Sequence, residues 1–161
     1  MERRQLEEYI ETHGQALTGF CLHLTRSRLD AEDLFQETWV NVFRFFHRYD
    51  PARPFDKWLF TVCANIFKSA ARKPKPTLTE ITEETAAEFS EPDWDDELHT
   101  ALSNLPPKLR LVTLLFYYND YSTEQIAAVL KIPKGTVKSR LHTARNILRE
   151  ALSHEQKRAF E

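Results

Sequence analysis

The sequence predicts an all-α fold of two small helical domains joined by an acidic, flexible linker. Apolar residues recur at helical spacing through most of the chain. Only three glycines occur in 161 residues, which argues against sheets with many tight turns. Residues 74–97, PKPTLTEITEETAAEFSEPDWDDE, have no clear period and hold one cation against nine acids, the composition of a linker. The domains that follow are 1–73 and 98–161, with the linker over 74–97. Leu78, Ile81, Phe89 and Trp94 leave docking of that linker open beside a plain solvated reading.

Residues 2–26 predict a first helix, with Leu6, Tyr9, Ile10, Leu17, Phe20, Cys21 and Leu24 on one stripe and His13 beside them. Gly14 and Gly19 weaken the case for an unbroken helix. Asp30 is a good cap for a second helix running to about Arg48. Ala31, Leu34, Phe35, Thr38, Val42, Phe43 and Phe46 are expected inward. Asp33, Gln36, Glu37, Val40, Asn41 and Arg44 are expected outward, with Trp39 at the edge of that polar face. This is either an ordinary amphipathic helix or a partner-binding face with aromatic anchors.

Tyr49 to Pro54 predicts a loop, with Pro54 at the start of a third helix. Phe55, Trp58, Leu59, Val62, Cys63, Ile66, Phe67 and Ala70 form its apolar stripe. Its end carries Asn65, Lys68, Ser69, Arg72 and Lys73. Cations there suit either the helix dipole or single-stranded nucleic acid. Pro74 and Pro76 stop the helix. The second domain starts near Asp93–Asp96, and a helix over Lys108 to Tyr118 follows Pro106-Pro107.

Residues 121–150 carry the strongest local signal. Ser122 and Gln125 form a capping box. Lys131-Ile132-Pro133 breaks the helix, because proline lacks an amide donor and disfavours helical geometry before it. In the next helix, Val137, Leu141, Ala144 and Leu148 recur at steps of four, three and four. The opposite face carries Lys138, Ser139, His142, Thr143 and Asn146. Lys134, Lys138, Arg140, Arg145 and Arg149 all precede the first acid, Glu150. The pattern is a helix-turn-helix with a basic recognition helix, or a helical hairpin with a solvated basic face.

The net charge of −2 hides an asymmetry. Residues 1–73 balance at +1, the linker at −8 and residues 98–161 at +5. Concentrated cations let an acidic protein bind DNA. Cys21 and Cys63 stand alone in apolar helical patterns, as buried thiols in a reducing compartment such as the cytoplasm do, with a disulfide as the minor reading. No apolar run suggests membrane insertion or secretion. No glycine loop, metal cluster or nucleophile elbow suggests an enzyme, a cofactor or a small-molecule substrate.

Two blocks carry a family resemblance. LPPKLRLVTLLFYYNDYSTEQIAAVLKIPKGTVKSRLHTARNILREAL resembles the carboxyl-terminal, region 4 DNA-binding domain of bacterial sigma factors, most specifically at GTVKSRLHTAR, 135–145. DAEDLFQETWVNVFRFFHRYDPARPFDKWLFTVCAN, 30–65, resembles the amino-terminal, region 2 domain. Their order and spacing resemble the small extracytoplasmic-function (ECF) group of the sigma-70 family.

The resemblance implies a dissociable subunit of bacterial RNA polymerase that directs promoter recognition, DNA melting and initiation. Asp30, Asp33, Gln36, Glu37 and Trp39 match the face that binds the clamp coiled coil of the largest polymerase subunit. Asn65, Lys68, Ser69, Arg72 and Lys73 match the stretch that captures an unstacked base of the −10 element. Ser69 stands where relatives often carry Asp or Asn. Lys138, Ser139, His142 and Thr143 are the expected base contacts at the −35 element, and Thr136, Arg140 and Arg145 the expected phosphate contacts. Lys131 replaces a glycine common in the turn. The implied partners are core polymerase (clamp, and flap for the second domain), promoter DNA and an anti-sigma factor. The linker is expected to thread the polymerase cleft and RNA exit path. The alternatives are a helix-turn-helix regulator with no polymerase role and a sigma-fold interaction or decoy protein.

Overall fold

The computed structural model describes residues 1–70, 96–153 and 160. Among these run seven α-helices and no strand. The first three are α1 (Arg3–Leu24), α2 (Arg28–Phe45) and α3 (Phe55–Ala70); the others are α4 (Asp96–Ser103), α5 (Pro107–Tyr117), α6 (Thr123–Leu130) and α7 (Lys134–Ala151). A 3₁₀ turn, Phe46–Arg48, closes α2. Arg72, Lys73 and the linker up to residue 95 lie outside the described residues.

Helices α1 to α3 form one bundle. Leu17, Phe20, Cys21 and Leu24 of α1 share its core with Phe35 and Val42 of α2 and Leu59 and Cys63 of α3, all essentially without solvent contact. Each large side chain of this kind contributes roughly 1.5–3 kcal/mol. Gly14 and Gly19 do not interrupt α1. The Cys21 and Cys63 sulfurs lie 3.8 Å apart as free thiols, and burial pushes the Cys21 thiol well up.

Three expectations for α2 need correction. Ser27, not Asp30, caps it: the Ser27 hydroxyl accepts from the Asp30 amide at 3.1 Å, and Asp30 sits inside the first turn. Phe43 points outward and is 51% exposed. Trp39 is 5% exposed, its ring edge-on to Phe35 in the core. Apolar residues occur on nearly every side of this helix, so periodicity alone could not choose among them. The positions of α1 and α3 decide which are covered.

In the second bundle, Leu102, Leu105, Leu111 and Leu115 share a core with Ile126, Leu130, Val137, Leu141, Ala144 and Leu148. Pro107 occupies the first turn of α5, where a missing N–H costs nothing.

The two bundles pack against each other through α1, α3, α4, α5 and α6, and the seam follows one rule. The last carbonyls of a helix lack intrahelical donors and carry the negative end of its dipole. Across the seam, cations of one bundle serve the helix ends of the other. Arg110, 2% exposed, donates to Leu24 at the end of α1. The same guanidinium donates to Leu102 at the end of α4 (3.1 Å) and to Leu105 (2.9 Å) in its own bundle. Arg26 donates to Ser103, the last residue of α4, at 3.2 Å. Lys57 donates to Asn119, just past α5, and Lys68 to Leu130, the last residue of α6.

Tyrosines fill the space between these cations. The Tyr118 hydroxyl donates to Ala16 at 3.0 Å, and its ring stacks on Phe20. The Tyr121 hydroxyl donates to Lys57 at 2.6 Å, and burial pushes it up to about 12, so it keeps its proton. Nothing in the sequence pattern marked Arg110 or this seam.

Replacing Arg110 by lysine should lower unfolding stability by roughly 2–4 kcal/mol, because one ammonium cannot serve three buried carbonyls in fork geometry. Denaturant midpoints of wild type and Arg110→Lys test this, and equal midpoints would show the fork to be dispensable. The seam also predicts a pH dependence. His23 of α1 and His99 of α4 lie 5.6 Å apart between ring centroids, beside Tyr118 and near Arg110 and Asp96. Burial, then His99, lowers His23 from 6.5 to about 4, and burial also lowers His99. A lowered pKa means the folded chain binds the proton less well than the unfolded chain. The associated stability is therefore complete above pH 6.5 and is lost as pH falls from there toward 4. Between pH 7.5 and 5, wild type should lose roughly 1–3 kcal/mol more than His23→Phe. Parallel pH profiles would contradict this.

Candidate nucleic-acid interface

The turn of the helix-turn-helix is built as its residues require. The Ser122 hydroxyl accepts from the Gln125 amide at 3.1 Å, and the Gln125 side chain accepts from the Ser122 amide at 2.9 Å. Lys131 ends α6 in the left-handed region, φ 55° and ψ 48°, where a non-glycine residue costs roughly 1–2 kcal/mol. Its amide donates to Ala127, and Pro133 then opens α7. Lys134 pairs with Glu124 across the turn, which with the backbone amide pulls the Glu124 carboxyl down to about 2.

Val137, Leu141, Ala144 and Leu148 of α7 are all buried, as their spacing demands. Lys138, Ser139, His142 and Thr143 are all exposed on the opposite face, with Asn146 one turn beyond. The Thr143 hydroxyl donates to the Ser139 carbonyl at 3.0 Å, and Asn146 Nδ2 lies 3.3 Å from His142 Nε2. Thr136 and Arg140 are half-buried at the flanks. Arg145 is held against α5: its Nε donates to the Tyr117 hydroxyl at 2.6 Å, and its guanidinium lies over the Phe116 and Tyr117 rings.

At the end of α3, Asn65 and Ser69 are exposed and Lys68 is half-buried on the Leu130 carbonyl. Of the five residues expected at the −10 element, these three are described. The fold brings them beside α6, a proximity the spacing did not foretell.

The outward face of α2 is a third surface. Asp33 and Glu37 are exposed, and Asp30 and Gln36 are half-buried. Burial, then Asp30 and Glu32, raises the Asp33 carboxyl. Leu29, Val40 and Phe43 are 44%, 53% and 51% exposed. With Asp33 and Gln36 they fall at steps of four, three, four and three, which is one helical stripe. The missed residues Leu29 and Phe43 were visible in that spacing once Val40 was read as outward. Trp39, expected with this face, is instead in the core beside Phe35. Among the described residues no cluster of His, Cys, Asp and Glu could hold a metal ion, and no helix is long and apolar enough to cross a membrane.

Comparison with known proteins bears on the family. Residues 9–76 match the family model for sigma-70 region 2, and residues 95–148 match that for sigma-70 region 4. The chain is 35% identical to the ECF RNA polymerase sigma factor SigL of Mycobacterium tuberculosis, over 94% of this chain and 90% of that one. It is 32% identical to the ECF sigma factor SigE of Mycolicibacterium smegmatis, matching 91% of this chain and spanning 61% of SigE's length. Among solved structures, it is similar to the sigma factor RpoE from Bartonella quintana, in complex with the anti-sigma factor NepR. The TM-score is 0.69 at 26% identity, covering 92% of this chain and 96% of RpoE. Two region matches in order, with SigL 35% identical over 90% of its length, mean that the chain belongs to the ECF sigma factors of the sigma-70 family.

Proposed function

We propose that this chain binds core RNA polymerase through the α2 face and reads promoters at two places. Asp30, Asp33, Gln36 and Glu37, with exposed Leu29, Val40 and Phe43, form the surface for the polymerase clamp; apolar groups ringed by charge are good anchors. Asn65, Lys68 and Ser69, together with Arg72 and Lys73, hold an unstacked base of the −10 element and its phosphates. Lys138, Ser139, His142 and Thr143 read base edges of the −35 element in the major groove, and Thr136, Arg140 and Arg145 lie toward phosphates.

The supporting observation is the α7 face: four polar side chains of the right kind, all exposed, backed by a fully buried stripe. Lys68 is engaged on the Leu130 carbonyl, so turning its ammonium toward a promoter phosphate competes with that seam contact. An anti-sigma factor is the expected regulator, since the Bartonella quintana relative is held by one.

Purified core polymerase with this chain, given a randomised promoter library, should yield transcripts that share two sequence elements. Asp33→Ala with Val40→Ala and Phe43→Ala should reduce core affinity at least tenfold, because two or three central anchors each contribute about 1–2 kcal/mol. Transcripts without a common element, or undiminished core affinity, would overturn the respective assignment.

A further inference from the structure

The inference concerns how the α7 face is set, and it rests on that face reading bases. His142 and Asn146 are both exposed, one turn apart, with Asn146 Nδ2 3.3 Å from His142 Nε2. In that geometry the Asn146 amide can donate only to a ring whose Nε2 accepts, and a neutral ring of that kind carries its proton on Nδ1. A ring held so is fixed in orientation and offers Nδ1–H as its donor.

The neighbouring groups are set in the same way. Thr143 spends its hydroxyl proton on the Ser139 carbonyl, leaving a methyl group and lone pairs outward. Lys138, one turn before His142, has donors only. In the major groove guanine presents two acceptors, N7 and O6, adenine N7 and thymine O4. Cytosine presents only the N4 donor. A ring showing an N–H therefore discriminates for an acceptor and against cytosine.

We propose that Asn146 is a positioning residue that holds His142 as an Nδ1–H donor, so that His142 selects an acceptor-bearing base over cytosine at its −35 position. Asn146 itself needs no contact with DNA. Its effect is confined to the base that His142 reads, whereas a residue that merely stabilised α7 would weaken all promoters alike.

The test uses full-length protein with core polymerase on promoters randomised one −35 position at a time, with transcripts counted by sequencing. His142→Ala should abolish a preference against cytosine at one position, by roughly three- to tenfold for a single hydrogen bond. Asn146→Leu, similar in size but unable to donate, should weaken the same preference at the same position and leave the others unchanged. The double variant should be no less selective than His142→Ala alone, because the two residues act as one unit. Asn146→Gln, whose amide also reaches along the helix, should retain more of the preference than Asn146→Leu. If His142→Ala relaxes one position while Asn146→Leu changes none, or changes every promoter equally, the positioning role is overturned and base reading stands. If His142→Ala relaxes no position, His142 reads no base and both fall together.

Discussion

The seam depends on the unsatisfied carbonyls at helix ends. A helix cannot pair its own last carbonyls, and burying them unpaired costs roughly 1–3 kcal/mol each. Here the ends of α1, α4, α5 and α6 turn toward the meeting of the two bundles. Arg110, Arg26, Lys57 and Lys68 each reach across to one of them. The seam is thus polar at its anchor points, with Tyr118 and Tyr121 packed between. Polar anchors favour a junction that can be exchanged, since each cation and each carbonyl has an alternative partner in water, phosphate or another protein.

That exchangeability connects packing to function. The outward faces of α2 and α7 remain exposed while the bundles are joined. At the end of α3, Asn65 and Ser69 are exposed while Lys68 is engaged by α6. On the proposed assignments, a chain in this state presents its polymerase surface and its upstream DNA surface, with Lys68 of the downstream surface engaged at the seam. Release of Lys68 would then couple separation of the bundles to promoter reading. The His23–His99 pair lies in the same seam, so its protonation acts on the same equilibrium.

Local chemistry was legible in the sequence wherever a short motif determines it. Ser122 and Gln125 specify their capping box, Pro133 specifies the break, and the Val137-to-Leu148 stripe specifies which face of α7 is free. The turn at Lys131 was legible as a position favouring glycine, and its φ of 55° agrees. Legibility failed where several solutions satisfied the same pattern. Ser27 and Asp30 are both good caps, and packing chose Ser27. Trp39 and Phe43 are both aromatic on a helix with apolar residues on nearly every side, and only Trp39 is covered. Arg110 was not legible at all, because its acceptors lie up to 86 residues away and a lone arginine in an apolar helix has no periodic signature. The exposed polar face of α7 was legible by type and spacing, but the Asn146–His142 and Thr143–Ser139 contacts on it needed coordinates.

Exchange of the seam for promoter contacts is tested most directly by a distance across it. Spin labels at Glu11→Cys on α1 and Ala128→Cys on α6 sit at exposed positions, while the native Cys21 and Cys63 are buried. The free protein should give a single narrow distance, and the complex with core polymerase and promoter DNA a longer one. The same distance in the promoter complex would contradict the account, as would a broad distribution in the free protein.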